Sequence, residues 1–558
     1  MKKTTKMISG LLSAAMACGL IAGCSGAEQT EKIDAQKTQL YVQNFEGGFG
    51  SDWLRAAKTR FEEAFKNESY ETGKTGVQII IAPPAKTDGI SLRPNLNNTI
   101  NEVFFNESVY YYDYIRDGLL LDITDAITEP LTEFGETESI ADKMTAEQRG
   151  YYFTDGKYYG IPHYSGYNGI VYDVDLFEKY SLYFADSAQS ELIVNPTDKR
   201  SAGPDGKYGT ADDGLPATYD EFFILCDEMV SLNIKPITWP GQYYNTYIEK
   251  VINALYADDV GLEQTMLNYT FRGTAKNILN PVAADGSYTY MYGEEGVEIT
   301  PQNAYLLWAD EGKYHALSFF ERLVRKSEYY NNICFSPSHL YTDSQKDFLE
   351  STPKGEPIAM IVEGCWWENE AKDSIKTIAD YYGQEYAREN RNFAMLPLPK
   401  SGKDKIGQKS TIVDTHYSLG FIKASIADFK QELAKEFLRF CCTDESLAEF
   451  TVSTNTVKAL DYPMSEGDYA KLTTFGKSVY DLHKDSAVVY PFSSEAAYLD
   501  NQSMFSVHES LYSKIGNKEA AHPIEYLREG QSNNMADYFN GMLIYNKERW
   551  DRVFGGYV

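Results

Sequence analysis

The sequence predicts an α/β protein with more than one domain. Three observations carry this. Short apolar runs of strand length alternate with longer stretches of helical spacing. The first of them follow a β-α-β order, which sets parallel strands in one sheet beneath covering helices. And the chain has 558 residues, whereas single hydrophobic cores stop growing at roughly 250–300.

Leu40-Tyr41-Val42 reads as the opening strand. The loop Glu46-Gly47-Gly48-Phe49-Gly50 follows, with Ser51 or Asp52 as a helix cap. Trp53, Ala57, Phe61 and Phe65 recur at four-residue steps and so share one helix face. Val77 to Ala82 is apolar enough for a central strand, and Glu102 to Phe105 reads as a third. Thr218 and Glu221 form a capping box ahead of Phe222, Leu225, Met229 and Leu232. Ile358 to Val362 and Phe393 to Leu396 read as short strands, and Phe429, Leu433 and Phe437 mark a late amphipathic helix.

Ahead of this body, Lys2, Lys3 and Lys6 precede an apolar run from Met7 to about Ile21. A positive start, a short apolar stretch and small exit residues mark a secretory signal, too short for a membrane span. Its end, Ile21-Ala22-Gly23-Cys24, resembles the bacterial lipobox. Residues 1–23 are then a leader, Cys24 carries a lipid, and residues 24–37, small and polar, form a flexible tether. A plain secretory leader with a chance cysteine is the alternative.

The net charge is −29. Losing the three lysines of the leader takes it to −32. Such a surface repels nucleic acid and favours a neutral or cationic ligand. Cys226, Cys334, Cys365, Cys441 and Cys442 contain no CxxC pair and read as buried thiols. The seven histidines show no HExxH spacing, which argues against a zinc hydrolase. There are 44 Tyr, 28 Phe and 6 Trp. Clusters such as Tyr110-Tyr111-Tyr112 exceed what a core needs, and their flat faces with polar tips suit sugar rings.

Four segments in order carry a family resemblance. Asp117 to Asp125 reads DGLLLDITD. Asp155-Gly156-Lys157-Tyr158-Tyr159-Gly160-Ile161-Pro162 is followed by Gly169 to Phe177, where Asp173 and Val174 replace the usual Asn-Lys. Ala359 to Asn369 reads AMIVEGCWWEN, and Glu432 to Phe440 reads ELAKEFLRF. Together they resemble the solute-binding lipoproteins of bacterial carbohydrate ABC importers, of the maltodextrin-binding type. The resemblance covers most of the mature chain, with insertions around 183–217 and 262–312.

That resemblance implies a two-lobed periplasmic-binding-protein fold, type II-like, each lobe a sheet with helices on both faces and a ligand cleft between them. Lobe one would take 36–163 plus 420–478, and lobe two 167–415 plus 480–558, crossing near Tyr164 and His416. It implies capture of an oligosaccharide, delivery to ABC permease subunits, a monomer, no catalysis and no required cofactor. Held by the Cys24 lipid, the receptor would sit on the extracellular face of the membrane, in an envelope without a sealed periplasm.

Trp366 and Trp367 follow a strand, where α/β sheets place ligands, and are the first candidates for stacking. Trp239 and Tyr243 flank a Pro-Gly turn after another strand-like piece. His163, Tyr164 and Tyr167 sit at the expected crossing, with Asp414 and His416 at the other. Asn44 and Glu46 end the first strand; Asn106 and Glu107 end the third. All are placed to bond sugar hydroxyls. The 47–50 glycines match neither GxGxxG nor a Walker loop, so a tight turn close to the ligand is the reading. Asp205, Asp212 and Asp213 lie in a Gly-rich loop that is a candidate Ca²⁺ clip, without EF-hand spacing; a solvated turn is the plainer reading. The rival classes are a surface glycosidase, for which no carboxylate pair stands out, and a peptide-binding importer component.

Overall fold

The computed structural model describes residues 32–186, 191–193, 198–499, 511–520 and 522–554. The leader and Cys24 lie outside them. Of the expected 24–37 tether only residues 32–37 are described. Gln78 reaches back to it, its Nε2 donating to Lys32 O and its Oε1 accepting from Asp34 N, so the chain is fastened from residue 32 onward.

Two mixed sheets organise the chain. In the first the strands run Val77–Ile81, Thr38–Asn44, Val103–Asn106, Leu419–Ile422 and Ile161–Pro162. Its three early strands are parallel, as the β-α-β order requires, while Leu419–Ile422 enters antiparallel with Leu419 opposite Asn106. The second runs Phe393–Leu396, Asn168–Asp173, Ile358–Gly364 and Lys235–Thr238. Asn168–Asp173 is antiparallel to both its neighbours. The sheets are mixed rather than parallel because strands arriving from the other lobe run the opposite way.

Helix Asp52–Ala64 covers the first sheet with Trp53, Leu54, Ala57 and Phe61, all buried. Trp53 meets Phe105 edge-on at 5.1 Å. Each such buried aromatic contributes about 2–3 kcal/mol of apolar burial. The second sheet is capped by Tyr219–Ser231, where Thr218 Oγ1 accepts from Glu221 N. The Glu221 carboxylate accepts from Ala217 N, one residue ahead of the cap that a capping box would place there.

The chain crosses between lobes at 163–167, where Tyr164–Ser165 pairs with Val457–Lys458, and again at 413–418. Helix Thr474–Asp485 packs on Phe393–Leu396, with Met395 N donating to Ser478 Oγ and Phe475 against Trp367. Within the 262–312 insertion, the second half of helix Tyr244–Thr270, kinked at Gly261, leads into a hairpin of Gly273–Ala275 with Val297–Ile299. All five described cysteines are free and buried. No helix among the described residues is long and apolar enough to cross a membrane.

Candidate ligand cleft

Strand Ile358–Gly364 is buried along its whole length and ends at the gap between the lobes. The Trp366 ring folds back over Gly364, where an added Cβ would lie 2.2 Å from the indole. The same side chain reaches lobe one. A Cβ on Gly48 would stand 3.0 Å from Trp366 Cδ1 and 3.3 Å from Glu370 Cβ. Gly48 has φ +76°, as the turn out of the first strand requires, and its missing side chain lets the lobes meet. Its carbonyl accepts from Asn369 Nδ2 at 2.9 Å. The His416 ring stands edge-on to Trp366 at 4.4 Å. Trp366 therefore sits in the seam between the lobes.

Trp367, its neighbour, does not. It is fully buried in lobe two among Phe348, Phe393 and Phe475. Trp239 is likewise core, packed on Tyr330 and Phe335. Tyr167 is buried and donates to Val479 O. His163 lies in the lobe-one core beside Trp53, Phe105 and Phe450, its Nδ1 2.7 Å from Lys458 Nζ. Burial holds His163 far below its usual range. Asn44 donates to Phe45 O, Gly50 O and Ser51 Oγ, and Asn106 bonds Thr87 O and Glu107 N. Both amides hold their own loops. In this structure these six side chains pack in the cores or bond their own loops rather than facing the seam.

His416, the Tyr164 ring 6.0 Å from it and Asp414, which accepts from its N–H, lie beside the seam, Glu46 and Glu107 adjoin the Gly47 turn, and Tyr243 is exposed. Glu107 Oε1 lies against Gly47. Burial pushes Glu107 up to about 8, with Lys250 opposing and Asp414, Glu370 and Asp88 adding repulsion. Burial also pushes Asp414 up to about 7, although it accepts from His416 N. His416 is held down to about 3 by burial and by Lys250. Near pH 7 Glu107 is mostly protonated, Asp414 is divided between its two forms and His416 is neutral, and each can exchange hydrogen bonds with hydroxyls. Two buried oxygens, Glu46 Oε2 and Tyr164 Oη, have no partner. Unmet polar groups of this kind are costly unless something docks on them.

On the lobe-two wall, Gln345 Nε2 donates to Glu363 Oε1 at 3.1 Å and Glu370 Oε2 at 2.6 Å. Burial raises both carboxyls. Tyr247 and Tyr341 lie close enough to feel their charge. Gln345 and Lys250 escape sequence reasoning because they sit inside helices without a motif, and Glu370 because it closes a one-turn helix. Glu370 alone had a signal, four residues beyond Trp366.

The Asp205, Asp212 and Asp213 carboxylates turn onto their own loop, accepting from Lys207 N, Asp205 N and Gly209 N. Among the described residues no three His, Cys, Asp or Glu side chains gather as metal ligands.

The family model for bacterial extracellular solute-binding proteins matches residues 70–461, most of the chain. The chain belongs to this family. Among solved structures, this solute-binding protein is similar to a chitin oligosaccharide binding protein at 17% identity and a TM-score of 0.52, over 93% of this chain and 100% of that one. RafE in complex with raffinose matches at 13% identity and TM-score 0.52, over 92% and 100%. Apo RafE from Streptococcus pneumoniae matches at 14% and 0.52, over 93% and 100%. At these identities the likeness establishes the fold. No curated protein matches this chain by sequence.

Proposed function

We propose that this solute-binding protein captures an oligosaccharide between its lobes and presents it to the permease of an ABC importer, without catalysis. One observation carries the reading: Trp366, from lobe two, lies in the seam against Gly48 of lobe one. A sugar ring stacked on that indole touches both lobes and so favours the closed form, which is how ligand and closure become linked. Buried carboxyls and unpartnered oxygens around it supply the hydroxyl partners. The oligosaccharide and raffinose named for the structural neighbours are in keeping with this class. Anchoring through Cys24 on the outer face of the membrane, as a monomer, completes the proposal. It keeps the receptor near its permease at high effective concentration.

The test is a calorimetric screen of the full chain against starch-, plant- and host-type oligosaccharides. Binding without cleavage supports the reading. Released product would make the protein a glycosidase, and tight binding of peptides instead of sugars would also overturn it.

A further inference from the structure

Beside the cleft lies a small enclosed pocket, apolar over most of its wall, whose only charged side chains are of sign opposite to that of the molecule. Lys250 and Lys313 line it, with Asn253, Asn268, Thr265 and Thr415. No Asp or Glu lines it, in a chain with 81 acidic and 52 basic residues. Lys313 is 3% exposed. Its Nζ donates to Asn268 Oδ1 at 3.1 Å and Leu307 O at 2.8 Å and stands over the Trp308 and Tyr256 rings at 4.5 and 4.9 Å, so one of its three protons has no hydrogen-bond acceptor. Among the described residues neither lysine has a carboxylate within ion-pair distance. Burial drives the Lys313 ammonium toward its neutral form, with Asp310 opposing from nearby. A buried cation without a direct counter-ion is costly and gains most from an arriving anion.

The pocket joins the seam through two residues. Thr415 lines the pocket, and the next residue, His416, stands against Trp366. Lys250 lines the pocket and acts electrostatically on Glu107, Asp414 and His416. Its free space is about 20 Å³. That admits one or two water-sized groups, which suits a carboxylate and excludes a sugar ring.

We propose that the pocket between Lys250 and Lys313 receives the carboxylate of an acidic sugar whose ring lies in the cleft beside Trp366. The inference rests on the carbohydrate reading and narrows its ligand to oligosaccharides bearing a uronic or sialic acid. The net charge of −29 opposes such a ligand at long range, but a cationic pocket with low-dielectric walls governs the field at contact.

The experiment is calorimetry of the full chain with digalacturonate, a glucuronic-acid-bearing xylo-oligosaccharide and sialyllactose. Each is paired with its neutral counterpart: galactobiose, the undecorated xylo-oligosaccharide and lactose. A chitosan dimer serves as the cationic arm. At least one acidic sugar should bind ten-fold or more tighter than its partner. That ratio should fall toward one in both Lys250→Met and Lys313→Met, with circular dichroism and thermal unfolding confirming that each variant folds. Lys250 is the more exposed of the two, so its variant carries the test if the other is unstable. Neutral sugars bound as tightly as acidic ones would overturn the inference and leave the carbohydrate reading standing. So would a preference that survives in the folded variants, or tighter binding of the chitosan dimer. Failure of every sugar overturns both.

Discussion

Trp366 and Trp367 are adjacent, yet they face different worlds. The chain leaves the buried strand Ile358–Gly364 and turns into helix Trp367–Glu370, which sends successive side chains in different directions. Trp366 goes to the seam and Trp367 into the lobe-two core. Removing each indole should therefore fail differently. Trp366→Ala is expected to cost less stability than loss of the fully buried Trp367, and to weaken sugar binding by about 1–3 kcal/mol. Trp367→Ala is expected to cost about 3–5 kcal/mol of stability through the cavity it leaves. Calorimetry and denaturant unfolding of both variants check this, and swapped phenotypes would remove Trp366 from the site. The sequence marked the pair but not which member faces the cleft, because that choice depends on Gly364 leaving room for one indole to fold back. His163 misled for a related reason. Its partner Lys458 lies almost 300 residues away in sequence, and only the pairing of Tyr164–Ser165 with Val457–Lys458 brings them together.

At the scale of elements, the turn Gly47–Gly50 decides how closely the lobes approach. Gly47, Gly48 and Gly50 all have positive φ, and Gly48 faces both Trp366 and Glu370. Gly48→Ala should strain the turn and hold the lobes apart. Ligand affinity is expected to fall at least ten-fold, while Gly73→Ala, also at positive φ but facing open space, leaves it unaltered. Fluorescence transfer between labels on the two lobes reads closure directly; equal closure in Gly48→Ala and the wild type would sink the idea. Local elements were largely legible in the sequence. Asp52–Ala64 and Phe393–Leu396 match the spacing that predicts them. The antiparallel entry of Leu419–Ile422 was not, since it is set by pairing with distant strands rather than by local pattern.

For the whole molecule, the seam couples closure to protons. Glu107 is pushed up to about 8 by burial, and the repelling charges of Asp414 and Glu370 come from beyond lobe one, with Lys250 opposing. Asp414 is raised to about 7 by burial. A carboxyl whose pKa is higher in the closed form binds more protons there than in the open form. Its contribution is fully present below the ordinary carboxylate range and is lost as pH rises through 7 to 8. His416 acts the other way, since burial holds it down to about 3. Its penalty for closure applies only below about 6.5, where the exposed imidazole would be protonated. Above pH 6.5 the carboxyls alone remain, so the closed form should weaken steadily toward pH 8, by up to about 1.4 kcal/mol per pH unit for each coupled proton. Small-angle scattering of the ligand-free protein should show a radius of gyration that grows between pH 6.5 and 8.5, with a falling Tm. Glu107→Gln should flatten both trends, because an amide keeps the shape of the protonated acid and cannot ionise. A wild-type profile that is flat across this range, or that tightens as pH rises, would show that closure does not depend on the protonation of the seam.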